Sequence, residues 1–243
     1  MREVTFEELL EVGAHFGHQA KRWNPKAKQY IYGVRDGIHI FDLIQTKQKL
    51  EEAYKYLVDL TAQGKTVIFV GTKRQASEIV VEEAKRAGAF FVAERWLGGI
   101  ITNWEQVRKS INQLTTIRRE KEEGKYKKYT KKENLLIDRK ATKLDKFLGG
   151  LVGLAKEPDA LFIVDLKNEM GAVKEARKKG IPIVAMADTN ADPTLADYPI
   201  PINDDAVKSV KLVVALMADA VLEGKEILQR QAKKTVEEGK TKK

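Results

Sequence analysis

Apolar positions along the chain follow two rhythms. Short unbroken runs, "VIFV" at 67–70, "LFIVDL" at 161–166 and "IPIVAMA" at 181–187, alternate with longer stretches in which apolar residues recur every three or four positions. Unbroken runs are what strands need when a parallel sheet is covered on both faces, and the periodic stretches are the helices that cover it. The pattern predicts strands near 66–70, 90–92, 160–165 and 183–187, an extended piece near 198–202, and helices near 75–87, 168–179 and onward from about 204. Gly64, Gly88 and Gly180 each follow a predicted helix, where a left-handed residue closes the last turn. Strand and helix in alternation specify an α/β fold, a doubly wound parallel sheet.

Upstream, Thr5 and Glu8 form a capping-box signature beside an apolar stripe of Phe6, Leu9 and Leu10. The segment "GHQAKRWNPKAKQ" is polar and basic around Asn24-Pro25 and predicts a loop. "YIYGVRDGIHIF" predicts a β-hairpin turning at Asp36-Gly37, and a long helix is expected from about Asp42 to Gln63.

Residues 103–148 interrupt the alternation. Trp104, Val107, Ile111 and Leu114 recur at spacings of 3, 4 and 3, the seam of a coiled coil. After "EEGKYKKYT" a second helix opens with a capping box, Thr130 and Glu133, and carries Ile137, Leu144 and Leu148 on one side. The two predict an inserted antiparallel coiled-coil helical hairpin. Between Arg118 and Lys146 it holds twelve basic and six acidic residues, so its outer surface is net positive. The expected organisation is an α/β body over 1–102 and 149–225, the hairpin over 103–148, and a helix fraying into a charged tail over 226–243.

Composition narrows the function. A 43% hydrophobic content suits a packed core, and the net charge of +9 fits a polyanionic partner such as nucleic acid. With no cysteine, disulfides, thiolate catalysis and cysteine-based metal sites are excluded. The longest apolar run, "LVVALMADAVL", is broken by Asp219 and far too short to cross a membrane, and the N-terminus lacks the apolar stretch of a signal peptide. A soluble intracellular protein is expected.

Four stretches carry candidate chemistry. "VGTKRQASE" places a glycine, Lys73 and Arg74 between a strand and a helix, as in phosphate-binding α/β turns. It has one glycine where a dinucleotide fingerprint needs three, and it lacks the Lys-Ser/Thr of a P-loop. A nucleotide-binding enzyme or sensor, a solvated helix start and a contact to RNA phosphate all remain open readings of it. In "AERWLGGIITNW", Arg95 and Trp96 stand beside Gly98-Gly99, either to meet a partner or with Trp96 filling the base of the hairpin. Between Gly17 and Lys28 there are four basic residues and no acid, with His18, Trp23 and Asn24 among them, the mixture RNA contact uses. Lastly, Asp188, Asp204 and Asp205 fall at the carboxyl edge of the predicted sheet, where they can gather on a hard divalent cation or simply cap turns and helices. His15, His18 and His39 have no metal-binding spacing, and no catalytic arrangement is suggested.

Taken together, "GAHFGHQAKRWNPK", "YGVRDGIHIFDL", "FVGTKRQASE", "RWLGGIITNW", "TKKE", "PDALFIVDLKNEMGAVKEARKKGIP", "DTNADP" and "IPINDDA" resemble the bacterial ribosomal protein S-two family, the second protein of the small ribosomal subunit. The motifs run in family order from about Leu10 to Leu222. The resemblance implies a flavodoxin-like body with a protruding coiled-coil hairpin and no enzymatic activity. It implies binding to small-subunit ribosomal RNA near the head–body junction, contact with neighbouring proteins including ribosomal protein S-one, and residence in the cytoplasm as part of the ribosome. No cofactor, membrane or small-molecule substrate is implied. The RNA-contacting residues expected from motif and charge are His18, Arg22, Trp23, Asn24, Lys26, Lys73, Arg74, Arg95, Trp96, Asn103, Arg108 and Lys109.

Overall fold

The structure is a computed structural model that describes residue 2 and residues 4–241, with side chains as far as residue 233. Five strands form a parallel sheet: β4 (Val67–Val70), β5 (Phe90–Val92), β6 (Ala160–Ile163), β7 (Ile183–Ala187) and β8 (Tyr198–Pro201), in the order β5-β4-β6-β7-β8. This is the flavodoxin-like doubly wound order, with the chain reversing its direction of winding between β4 and β6.

The unbroken apolar runs are explained by the two cores they feed. Val67 and Phe69 point with Phe162, Val164, Val184 and Met186 into a cluster shared with α2 (Leu43–Ala62), α3 (Ser77–Ala87) and α7 (Val207–Thr241). The intervening Ile68 and Val70 point with Leu161, Ile163 and Ala185 to the other face, under α6 (Met170–Lys179). Across β4 and β6, Phe69 and Phe162 meet edge to face with ring centroids 5.0 Å apart. Glycine closes the helices as expected, Gly64, Gly88 and Gly180 having φ of 73°, 59° and 68°.

The same second face receives the base of two further helices, α4 (Trp104–Glu122) and α5 (Lys131–Leu148). Trp104, Ile111, Leu114 and Ile117 form the buried stripe of α4. Ion pairs Arg118–Asp145 and Lys121–Asp138 fall in opposite chain order on the two helices, so they run antiparallel. The Thr130–Glu133 capping box is complete. At α1 (Phe6–Glu11) only half of the expected box forms: Thr5 Oγ1 accepts from the Glu8 N–H, while the Glu8 carboxylate is taken by Arg2.

One expectation needs correction at the N-terminal side. The predicted loop begins as a strand, β1 (Phe16–Gln19), which pairs antiparallel with β3 (Ile38–Phe41). With β2 (Ile31–Arg35), β3 forms the predicted hairpin, and Asp36 and Gly37 turn it at φ 50° and 75°. The result is a separate three-stranded sheet, and β1 was hidden because its residues, "FGHQ", have no alternating apolar face. At the other end the expected fraying tail is helix: α7 continues to Thr241, and residues 242–243 lie outside the described residues.

Candidate nucleic-acid interface

Because all five strands of the large sheet are parallel, the loops after β4, β5, β6, β7 and β8 emerge at one edge. The small sheet docks on that edge. The Asn24 N–H donates to the Thr189 carbonyl at 2.7 Å, the His18 N–H to Thr189 Oγ1 at 2.9 Å, and Asn203 Nδ2 to the Gly13 carbonyl at 3.0 Å. Gly17 permits the approach, since a Cβ there would lie 2.6 Å from Thr189 Cγ2.

Below this seam lies a network of charge. The Lys73 ammonium sits 3.2 Å from Asp165, 2.8 Å from Asp204 and 2.5 Å from Asp205. Burial disfavours its charge, yet the pull of Asp204 and Asp205 outweighs this and raises its pKa above the ordinary lysine value. Asp204, with no exposed surface, is pushed up to about 7 by burial and then by the nearby charges of Asp188 and Asp165. His18 bridges Asp188 at 3.0 Å and Asp205 at 3.3 Å, and its hydrogen bond to Asp188 raises its pKa. Asp165 holds a left-handed backbone at φ 65°, a strained conformation for a side chain of this kind, in the middle of the network.

This arrangement revises the expectation for Lys73. Its side chain is only 17% exposed and is committed to internal carboxylates rather than to an external phosphate. The turn it belongs to is equally closed to a nucleotide. The Thr72 N–H and hydroxyl both donate to Glu169 Oε1, at 2.9 and 2.6 Å, so a carboxylate already occupies the position of a phosphate. Gly71 serves packing, for a Cβ there would lie 2.9 Å from Val80 Cγ2.

Trp96 is also corrected. It is 8% exposed, and its indole N–H donates to Glu175 Oε1 at 3.0 Å. Glu175 collects the loop around itself, accepting from the N–H groups of Gly99 (2.8 Å), Ile101 (3.1 Å) and Thr102 (3.0 Å) and from the Thr102 hydroxyl (2.9 Å). Burial works against its ionisation, but the Thr102 and Gly99 N–H groups prevail and its pKa is lowered. Nothing in the sequence marked Glu175, a glutamate inside a helix like many others.

The carboxylates Asp188, Asp204 and Asp205 do converge, as expected of their edge positions, but on the ammonium of Lys73 and the imidazole of His18. Among the described residues no group of three or more His, Asp or Glu side chains has the geometry to hold a metal ion.

What remains on the edge is basic and accessible. Arg22, Arg74 and Arg95 are exposed and make no ion pair among the described residues. His18, Arg22, Trp23, Asn24, Lys167 and Asn190 line an open cleft of about 470 Å³. Trp23 is half-buried, its ring 5.2 Å from that of His39. Lys26 instead pairs with Asp192 at 2.7 Å, and Asn24 Oδ1 caps the turn by accepting from the Lys26 N–H at 3.0 Å. Asn103 is exposed at the start of α4 without a side-chain cap bond, and it lines a different cleft, shared with Arg108. Arg108, also exposed, is not part of the edge group: it shares a cleft with Lys156, Glu157, Asp159 and Lys179, near the opposite edge of the sheet, and Lys109 is exposed on the next position of α4.

A family model described as ribosomal protein S2 matches residues 9–224. The chain is 50% identical to the small ribosomal subunit protein uS2 of Dictyoglomus thermophilum over 232 residues, 96% of this chain and 94% of that protein. It is 49% identical to the uS2 proteins of Acidobacterium capsulatum and of Synechocystis sp., covering 92% and 93% of this chain and 74% and 84% of theirs.

Proposed function

The chain belongs to the ribosomal protein S2 family, and from that premise we propose that it is a non-enzymatic structural constituent of the small ribosomal subunit, serving translation by binding ribosomal RNA. The observation that supports RNA contact is the set of exposed arginines without an ion pair among the described residues: Arg22 lines the Trp23–Asn24 cleft, and Arg74 and Arg95 follow β4 and β5 at the same sheet edge. Arginines neutralise phosphates and release counterions, and an indole at the cleft offers a stacking face for an unpaired base. Lys73 and Trp96 act from beneath, by holding the loops that present these groups.

Other ribosomal proteins are its neighbours in this reading. Its finer part follows the motif resemblance: a place near the head–body junction, docking of ribosomal protein S-one, and work in the cytoplasm. The body is residues 1–102 with 149–225, the inserted coiled-coil module residues 103–148. No metal is required in this reading, because the carboxylates at the edge already have Lys73 and His18 as partners.

Co-sedimentation with small subunits depleted of this component, across a salt series, tests the proposal. Saturation near one copy per particle is expected, weakening steeply with salt, with a shallower slope for the combined Arg22→Ala, Arg74→Ala, Arg95→Ala variant. Equal binding to large subunits would overturn the ribosomal reading.

A further inference from the structure

We propose that the free end of the helical hairpin is a second RNA-contacting surface, in which four lysines on a prebuilt turn meet phosphates. This rests on the RNA-binding reading above but on separate residues. Residues 124–132 hold five lysines and no carboxylate. Lys125 is paired with Glu123 at 2.8 Å, whereas Lys127, Lys128, Lys131 and Lys132 are exposed and have no ion pair among the described residues.

The turn that carries them is constructed in detail. Gly124, at φ 70°, ends α4 and starts a 3-10 turn over Lys125–Lys128. The Tyr126 hydroxyl donates to Glu120 at 2.6 Å. Asn134 Nδ2 reaches back to the carbonyls of Tyr126 and Tyr129, at 3.2 and 3.3 Å. The rings of Tyr126 and Tyr129 lie 5.4 Å apart, and Tyr129 is 43% exposed. Yet none of the residues from 121 to 136 is buried, so this order serves no hydrophobic core.

Charge placement points the same way. Lys131 and Lys132 occupy the first turn of α5 at the positive end of the helix dipole, where lysines are repelled, and the one carboxylate of that turn, Glu133, is engaged in the capping box with Thr130. An anion between these lysines and Lys127 or Lys128 relieves that repulsion. Exposed ammonium groups on flexible stems around an exposed ring suit a phosphate backbone with bases free to stack, better than the fixed carboxylates of a folded protein. With helices of 19 and 18 residues at about 1.5 Å per residue, the tip stands roughly 27 Å along the hairpin and reaches a different stretch of RNA from the sheet edge.

The test uses the full chain and protein-free small-subunit ribosomal RNA. Lys127, Lys128, Lys131 and Lys132 are changed together to Ala in one variant and to Arg in another, and circular dichroism checks the fold. The salt slope of binding is expected to fall by about 3 in the alanine variant, at roughly 0.7–0.9 for each phosphate no longer neutralised, and to persist in the arginine variant. A wild-type slope in the alanine variant, with a reduced slope in the Arg22, Arg74, Arg95 variant, overturns the tip proposal and leaves the edge reading standing. No RNA binding by the wild type overturns both. Loss of polyglutamate binding without a change in RNA slope makes the tip a protein-docking surface and overturns the proposal.

Discussion

The Lys73 ammonium lies 2.8 Å from Oδ1 of Asp204, a carboxylate with no exposed surface on a loop 131 residues further along the chain. Replacing Lys73 by Met would strand Asp204, with Asp165 and Asp188 close by, without its counter-charge. Removing one partner of a buried pair costs about 3–5 kcal/mol. Urea denaturation of Lys73→Met should show a loss of that order. Arg74→Ala should leave stability within about 0.5 kcal/mol, as for other exposed positions, while lowering the salt slope of RNA binding. Equal stability of the two variants would remove Lys73 from its structural role.

The pH profile of stability should carry the signature of His18. Its folded pKa is raised above 6.5 by Asp188, so its contribution is fully present below 6.5 and disappears as pH rises through the folded value. Asp204, raised from 3.8 to about 7, acts in the same sense, losing its contribution between those values. His15 and His39, lowered by burial, act oppositely below 6.5, so the wild-type profile alone mixes the signs. The melting-temperature gap between wild type and His18→Gln separates them: it should be widest near pH 6 and shrink towards pH 9. A gap that widens with pH would contradict the His18–Asp188 bond.

Glu175 anchors the loop that leads into the hairpin. Glu175→Ala leaves the N–H groups of Gly99, Ile101 and Thr102 and the Trp96 indole without an acceptor. The Thr102 N–H is exposed and water can take it up, but at about 1–3 kcal/mol for each of the three shielded donors, those of Trp96, Gly99 and Ile101, a loss of at least ~3 kcal/mol is expected. Glu175→Gln, which keeps one acceptor oxygen, should fall between. Hydrogen exchange at 99–102 should accelerate before global unfolding, and unchanged protection there would show that the loop is held by other contacts.

Where α2 crosses α7, Gly224 allows direct backbone contact. A Cβ at this position would overlap Thr61 Oγ1 and lie 2.6 Å from the Val58 carbonyl. Gly224→Ala should therefore destabilise by about 1–3 kcal/mol despite the better helix propensity of alanine. Adding Thr61→Ala should restore only part, since the Val58 carbonyl remains. Simple additivity of the two losses in a double-mutant cycle would argue against the clash.

Much of this protein was legible in local patterns. Runs such as "VIFV" and "IPIVAMA" specify strands buried on both faces because no polar residue in them can face water. Helix ends at Gly64, Gly88 and Gly180 follow from a backbone conformation that glycine adopts without strain, and Asp36-Gly37 fixes the hairpin turn for the same reason. Thr130 with Glu133 caps α5 using groups three residues apart. Tertiary structure decided what each polar residue does. Lys73 and Arg74 are adjacent and equally basic in sequence, yet one turns under the sheet edge and the other remains exposed. The difference arises from Asp165 and Asp204, brought to Lys73 from 92 and 131 residues away by the parallel order of the strands. Likewise Trp96 resembles a stacking residue until α6 places Glu175 beneath it. Backbone form is set by neighbours in the chain, but the fate of a charge depends on which opposite charge the fold carries to it and how much water the packing excludes.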